Sequence, residues 1–237
     1  MEFLAEAFKK ALFLIINLDK EFLEIIFLSL RVSFSALIIA SIFGIPLGAF
    51  LGMKKFPGKN AIIIFLNTGM GLPPVVVGLF LYMLFSRSGP LGFLHLLYTP
   101  TAMIIAQFVL AFPIITALTQ SAIVKVDPVI KLTAKTLGAT PFQIALTVIK
   151  EARYGIFAGV IAGLGRVMAE VGAILIVGGN IAGYTRVMTT TIALETDKGN
   201  FELALALGII LLTLSFIINI SLYLLQKRGI PPNIAWI

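Results

Sequence analysis

The sequence predicts an all-α integral membrane protein with five transmembrane helices, an amphipathic helix at the amino end and a helical hairpin between the third and fourth crossings. Three observations predict it. Of 237 residues, 59% are hydrophobic and 12% charged, with a mean hydropathy of +1.06, which leaves too little polar surface for a soluble globule. Uncharged or nearly uncharged runs recur at the roughly 20 residues that about 30 Å of hydrocarbon requires. They are continuous rather than alternating, which fits helices and not barrel strands, and lipid tolerates only spans that satisfy their own backbone.

Taken in order, the first twenty residues place Leu4, Phe8, Leu12 and Ile15 at helical spacing with Glu2, Glu6, Lys9 and Lys10 between them. This is the pattern of a helix lying in the interface, and its apolar core from Ala11 to Leu18 is too short to span. The crossings follow at Ile25 to Gly52, Ala61 to Phe85, Thr101 to Val124, Gly155 to Val177 and Leu203 to Gln226, within a single transmembrane domain over 1–237.

The Lys/Arg distribution orients them. With the amino end outside, the inner segments hold Lys54, Lys55, Lys59, Lys125, Lys131, Lys135, Lys150, Arg153, Lys227 and Arg228, ten of the 18 basic residues. Outside lie six, Lys9, Lys10, Lys20, Arg87, Arg186 and Lys198, while Arg31 and Arg166 fall in spans. The positive-inside rule therefore predicts the amino terminus out and the carboxyl terminus in, at the cell membrane. The net charge of +7 is chiefly a topology signal and gives no support to nucleic-acid binding.

Between the third and fourth crossings, 125–153 read as a cytoplasmic segment of helix, sharp turn, helix. Asp127 caps a helix that has Pro128 at its first position, Ile130, Leu132, Ala134 and Leu137 supply apolar contacts, and Gly138 suits a left-handed stop before Ala139. Thr140, Pro141 and Gln143 start the second helix with a capping box. Such a long ordered connection is either a cover for the bundle or a working part.

Two places inside the spans ask for a reason. The second crossing carries Gly69, Gly71, Pro73, Pro74 and Gly78, which weaken its hydrogen-bond ladder. If the helix restarts at Pro73 or Pro74, its positive dipole end faces either packed protein or a passing anion. In the fourth crossing, Arg166 and Glu170 fall one turn apart, with Arg166 roughly 18 Å beyond Tyr154 at about 1.5 Å per residue. A charge at that depth needs a partner or a pathway. A structural ion pair is one reading, and a bias of the pathway toward oxyanions is the other. The segment from Gly178 to Glu202 reads as an outer loop in which Thr189, Thr190 and Thr191 are solvated or hydrate the mouth.

Chemistry is sparse. The chain has no cysteine and a single histidine, His95, in an outer loop. It also lacks a zinc HExxH motif, a nucleophile elbow and a phosphate-binding loop, so any use of ATP places the nucleotide on another chain.

Ala134, Leu137, Gly138, Ala139, Gln143 and Val148 resemble the "EAA" cytoplasmic loop of ABC importer permeases, with Leu132 and Thr133 where Glu and Ala are common and Lys150-Glu151 in place of Leu-Pro. Gly44-Ile45-Pro46-Leu47-Gly48, Leu72-Pro73-Pro74-Val75-Val76-Val77-Gly78 and Gly165-Arg166-Val167-Met168-Ala169-Glu170-Val171-Gly172 are similar to the permeases of molybdate, tungstate and sulfate importers. Gly178-Gly179-Asn180-Ile181 and Thr185-Arg186-Val187-Met188-Thr189-Thr190-Thr191 resemble the tungstate-type branch.

The resemblance implies a type I permease fold and a transport subunit rather than an enzyme. It also implies a homodimeric pore, cytoplasmic ABC ATPase subunits that carry ATP and Mg, and an extracytoplasmic oxyanion-binding protein. It makes 125–153 a coupling helix segment, with Ile130, Ala134, Leu137, Gly138, Ala139, Thr140 and Gln143 at the ATPase. Gly71, Pro73, Pro74, Arg166 and Glu170 then stand at the pathway or gate. Molybdate, sulfate and phosphate are alternative cargoes, and an ATP-independent transporter or channel is the competing class.

Overall fold

The computed structural model describes residues 20–227 together with Lys9, Phe13, Ile15 and Ile16. The rest of the expected interfacial helix, including Leu4, Phe8 and Leu12, lies outside the described residues, as does Arg228. Among those described, the chain is helical without strands: α1 (Lys20–Met53), α2 (Lys59–Met70), α3 (Pro74–Phe85), α4 (Pro100–Val124), α5 (Pro128–Thr136), α6 (Pro141–Glu151), α7 (Arg153–Met168), α8 (Gly172–Gly178), α9 (Met188–Asp197) and α10 (Phe201–Lys227). A 3-10 turn, Gly92–Leu94, follows α3, and His95 is exposed just beyond it.

Among the described residues three helices, α1, α4 and α10, are long and apolar enough to cross a membrane unaided. The other two crossings are broken. α2 and α3 meet at 103°, and α7 and α8 at 57°, so the crossings number five when each bent pair is one span. The first break is where glycine and proline put it. The second corrects the expectation of a continuous fourth helix.

α4 is the spine: 61% of its apolar window is buried, against 33% for α1 and 17% for α10, so the other spans are built around it. Its amino-terminal half packs with Val77, Leu81 and Phe85 of α3 and Ala173, Ile174 and Val177 of α8. Farther along, Ala111 and Ile115 meet Leu37 and Ala40 of α1 and Leu164 and Val167 of α7. α1 comes close because Gly48 faces it, where an added Cβ would sit 2.5 Å from the Thr116 carbonyl oxygen. α1 has 34 residues, about 51 Å at 1.5 Å per residue, and its uncharged stretch runs from Val32, just after Arg31, to Met53, just before Lys54.

At the end opposite the hairpin, α9 folds back on the bundle where an outer loop was expected. Thr190 and Thr191 are therefore buried at 1% exposure, and neither is solvated nor hydrates a mouth. Thr191 Oγ1 donates to the Val187 carbonyl at 2.7 Å, and Thr190 Oγ1 lies 2.9 Å from Asn180 Oδ1.

Glu195 closes the turn into α10, accepting from Lys198 Nζ at 2.9 Å and from Asn200 Nδ2 at 2.9 Å. The Lys198 hydrogen bond, helped by Asn200 and opposed by burial, holds its carboxyl below the ordinary range. Stability from this group is thus full above the unfolded value near 4.5 and is lost as pH falls through the lowered native value. Between about pH 5 and 3 the melting temperature of Glu195→Gln should fall less than that of the unaltered chain.

Candidate translocation site at two broken helices

The first break is forced locally. Pro73 and Pro74 have no N–H to donate, and Pro74 at the first position of α3 starts a new helix with Pro73 extended at φ -64°, ψ 124°. The turn retains Gly71 N–H to Thr68 O and Leu72 N–H to Gly69 O. The carbonyl of Leu72 is left over. Arg166 Nη2 fills it from α7, donating at 2.9 Å.

No proline marks the second break. Three side chains hold it instead. Gln107 of α4, 1% exposed, donates from Nε2 to the Val167 carbonyl at 2.9 Å, taking up an acceptor that a continuing helix would have used. Glu170, 4% exposed, accepts from the Ala173 N–H at 2.8 Å and so caps α8. Thr189 Oγ1 donates to the Glu170 carbonyl at 2.8 Å, tying α9 to the same point.

Arg166 and Glu170, expected as a pair one turn apart, form no ion pair, because Glu170 stands in the break rather than on the helix. Each serves the backbone of a different joint. Arg166 Nε and Gln107 Oε1 are buried with no hydrogen-bond partner among the described residues. Arg166 thus joins the two breaks, with Pro73, Pro74 and Gly71 on one side and Glu170 on the other.

α3 and α8 pack as one unit. A Cβ on Gly78 would lie 2.8 Å from Ala173 Cα, and one on Gly172 would lie 2.8 Å from Val75 Cγ2. The Ala173 contact is backbone and has nowhere to go, so Gly78→Val should lower the stability of the purified chain by about 1–3 kcal/mol, read as a drop in melting temperature. Outward from this unit, Val75, Val76, Leu79, Phe80 and Met83 are exposed along α3.

The hairpin follows its caps. Val129 N–H donates to Asp127 Oδ1 at 2.9 Å. Gly138 takes φ 80°, with Gly138 N–H on Lys135 O and Ala139 N–H on Ala134 O, a Schellman stop. Thr140 and Gln143 bond reciprocally at 2.8 and 3.3 Å.

The expected hairpin residues divide by exposure. Ile130 turns toward the bundle, packed on a cluster of Ala49, Ile123, Val126, Val148, Ala152 and Ile156. Ala134 and Ala139 are half-buried, whereas Leu137, Gly138, Thr140 and Gln143 are exposed. Leu137 at 81% exposure and Leu132, both expected to supply apolar contacts, are exposed, as are Phe142 at 72% and Val129. Gln107 also escaped the sequence reading. Its signal was an amide in the apolar first half of the third crossing, flanked by Ala106 and Phe108.

A bundle of membrane-crossing helices with two broken spans joined by an intramembrane arginine, and with an apolar helical hairpin at one end, defines a transport permease. Residues 44–229 match the model of the family described as binding-protein-dependent transport system inner membrane component. The chain belongs to that family. It is 45% identical over 96% of its length and all of the relative's to the tungstate uptake system permease protein TupB of Peptoclostridium acidaminophilum. It is 38% identical to TupB of Campylobacter jejuni, over 96% of this chain and 95% of that one. Among solved structures, a bacterial ABC transporter that imports the acidic polysaccharide alginate superposes with a TM-score of 0.75 at 18% identity, covering 90% of this chain and 81% of that one, a likeness of fold.

Proposed function

We propose that this chain is the permease subunit of an ATP-driven importer that moves tungstate or a related tetrahedral oxyanion across the cell membrane by alternating access. The observation that carries the reading is the end-to-end likeness to two tungstate uptake permeases. Two copies form the pore, ABC ATPase subunits carrying ATP and Mg dock on the hairpin, and an extracytoplasmic binding protein delivers the anion. The hairpin end lies in the cytoplasm, which sets the amino terminus outside and the carboxyl terminus inside. Lys54, Lys55, Lys59, Lys125, Lys131, Lys135, Lys150 and Arg153 support that orientation.

The residues then fall into two groups. Leu137, Gly138, Thr140 and Gln143, with the exposed Phe142, present the hairpin to the ATPase. Ile130 holds it to the bundle, and the half-buried Ala134 and Ala139 flank the turn that the ATPase meets. Motion passes along α6 into α7, which a single residue, Ala152, separates, with Ile156 N–H still bonded to Ala152 O. In the last turn of α7 stands Arg166, whose grip on Leu72 O delivers the motion to the α3 and α8 unit. Gly71, Pro73, Pro74, Arg166 and Glu170 thus stand at the gate, where the amino end of α3 and the Arg166 guanidinium place positive potential near a passing anion.

Reconstitution tests this. Vesicles containing the permease with its ATPase and binding protein should take up labelled tungstate only with ATP inside, and should prefer it to sulfate and phosphate. Uptake by the permease alone would establish an ATP-independent transporter, and preference for molybdate, sulfate or phosphate would move the cargo within the oxyanion class.

A further inference from the structure

At the end opposite the hairpin, a recess of about 320 Å³ opens between α1 and the segment before α9, with two arginines, Arg31 and Arg186, and two carboxylates, Glu21 and Glu24, in its lining. Arg31 is exposed and has neither a hydrogen bond nor an ion pair among the described residues. It lies on a helical stripe of exposed Leu23, Phe27, Phe34, Ile38 and Ile42. A guanidinium on an apolar face of a membrane helix is costly unless it meets an anion or the headgroup layer.

Its depth fits that layer. The uncharged stretch of α1, Val32 to Met53, is about 33 Å long, close to the hydrocarbon thickness, so Arg31 sits at its boundary. Among the described residues Arg186 makes one ion pair, to Glu21, Nη1 to Oε1 at 3.5 Å, with the Glu195 carboxylate also within its field, and its buried Nε has no hydrogen-bond partner. Glu24 faces only exposed Lys20, at 3.9 Å. Tyr184, half exposed, completes the rim in the manner of interfacial aromatics.

We propose that this recess holds the headgroup of one aminophospholipid, with its phosphate on Arg31 and Arg186, its ammonium on Glu24 and its acyl chains along Phe27, Phe34 and Ile38. Two guanidiniums suit the unesterified oxygens of a phosphodiester, and the adjacent carboxylate suits a primary amine. A free tetrahedral oxyanion offers the same phosphate-like chemistry, but the apolar stripe that continues below the recess has use only for a lipid. The site is independent of the cargo.

The test uses the purified full-length permease in mild detergent, read by native mass spectrometry and by lipid titration. One phosphatidylethanolamine should be retained per chain, with roughly tenfold weaker binding for Arg31→Gln and a smaller loss for Arg31→Lys. Glu24→Gln should abolish the preference for phosphatidylethanolamine over phosphatidylglycerol. Millimolar tungstate or phosphate should leave the lipid in place. Equal lipid binding by Arg31→Gln and the unaltered chain overturns the proposal, and so does displacement by either free anion, which would make the recess an oxyanion site. Should Arg31→Gln fail to fold, Arg186→Gln carries the same expectation and the same refutation.

Discussion

Gly138→Val should break the link between ATP hydrolysis and transport: nucleotide turnover by the assembled complex persists while oxyanion uptake falls at least about tenfold. Gly138 sits at φ 80°, and an added Cβ would meet nothing within 4 Å. The substitution therefore clashes with no neighbour and acts through the backbone alone. A left-handed conformation costs an L-residue roughly 1–2 kcal/mol, and more for a β-branched one. That is enough to reshape the turn between α5 and α6 without unfolding the bundle. Asparagine visits the left-handed region readily, so Gly138→Asn should retain most of the transport. The measurement is phosphate released per anion moved. A normal ratio in Gly138→Val, or equal losses in the valine and asparagine variants, would remove the hairpin turn from the mechanism.

The second large effect is expected at Arg166. In Arg166→Gln the Leu72 carbonyl loses its guanidinium donor and the positive charge at the proposed gate disappears. An unsatisfied carbonyl costs about 1–3 kcal/mol when buried, and Leu72 is half-buried; each 1.4 kcal/mol is about a factor of ten, so a flux loss of roughly tenfold is expected with the complex intact. Arg166→Lys keeps the charge and a donor but not the planar fork, and should fall between. Two assays run together decide it, anion uptake in vesicles and recovery of the complex on a tagged ATPase. Unchanged uptake, or loss of assembly alone, would leave Arg166 a purely structural residue.

The parts legible in the sequence were those whose causes are local. Asp127, Gly138 and the Thr140 to Gln143 box specify the hairpin within a few residues of chain, and the structure reproduces each cap. The break before α3 was likewise written in Pro73 and Pro74. The break after α7 was not, since nothing between Val167 and Val171 opposes a helix. Distant groups hold it open, Gln107 on the Val167 carbonyl and Thr189 on the Glu170 carbonyl, and no spacing rule connects 107 to 167. For the same reason Arg166 and Glu170 looked like a pair. Spacing along one helix assumes that the helix continues. Thr190 and Thr191 were misread because a polar run looks like a solvated loop until a helix folds back over it.

α1 meets the two faces of the bilayer with a charge at each margin, Arg31 at one and Lys54 at the other, and nothing ionisable between them. Such a strut fixes the thickness of membrane in which the protein is comfortable. In a bilayer a few ångströms thinner α1 must tilt, and in a thicker one it must draw a charge inward or pinch the lipid, each at a fraction of a kcal/mol per ångström. Because α1 lies along the spine at Gly48, a tilt imposed by lipid would reach the joints. Transport by this protein should therefore respond to acyl-chain length even where every ligand is saturating.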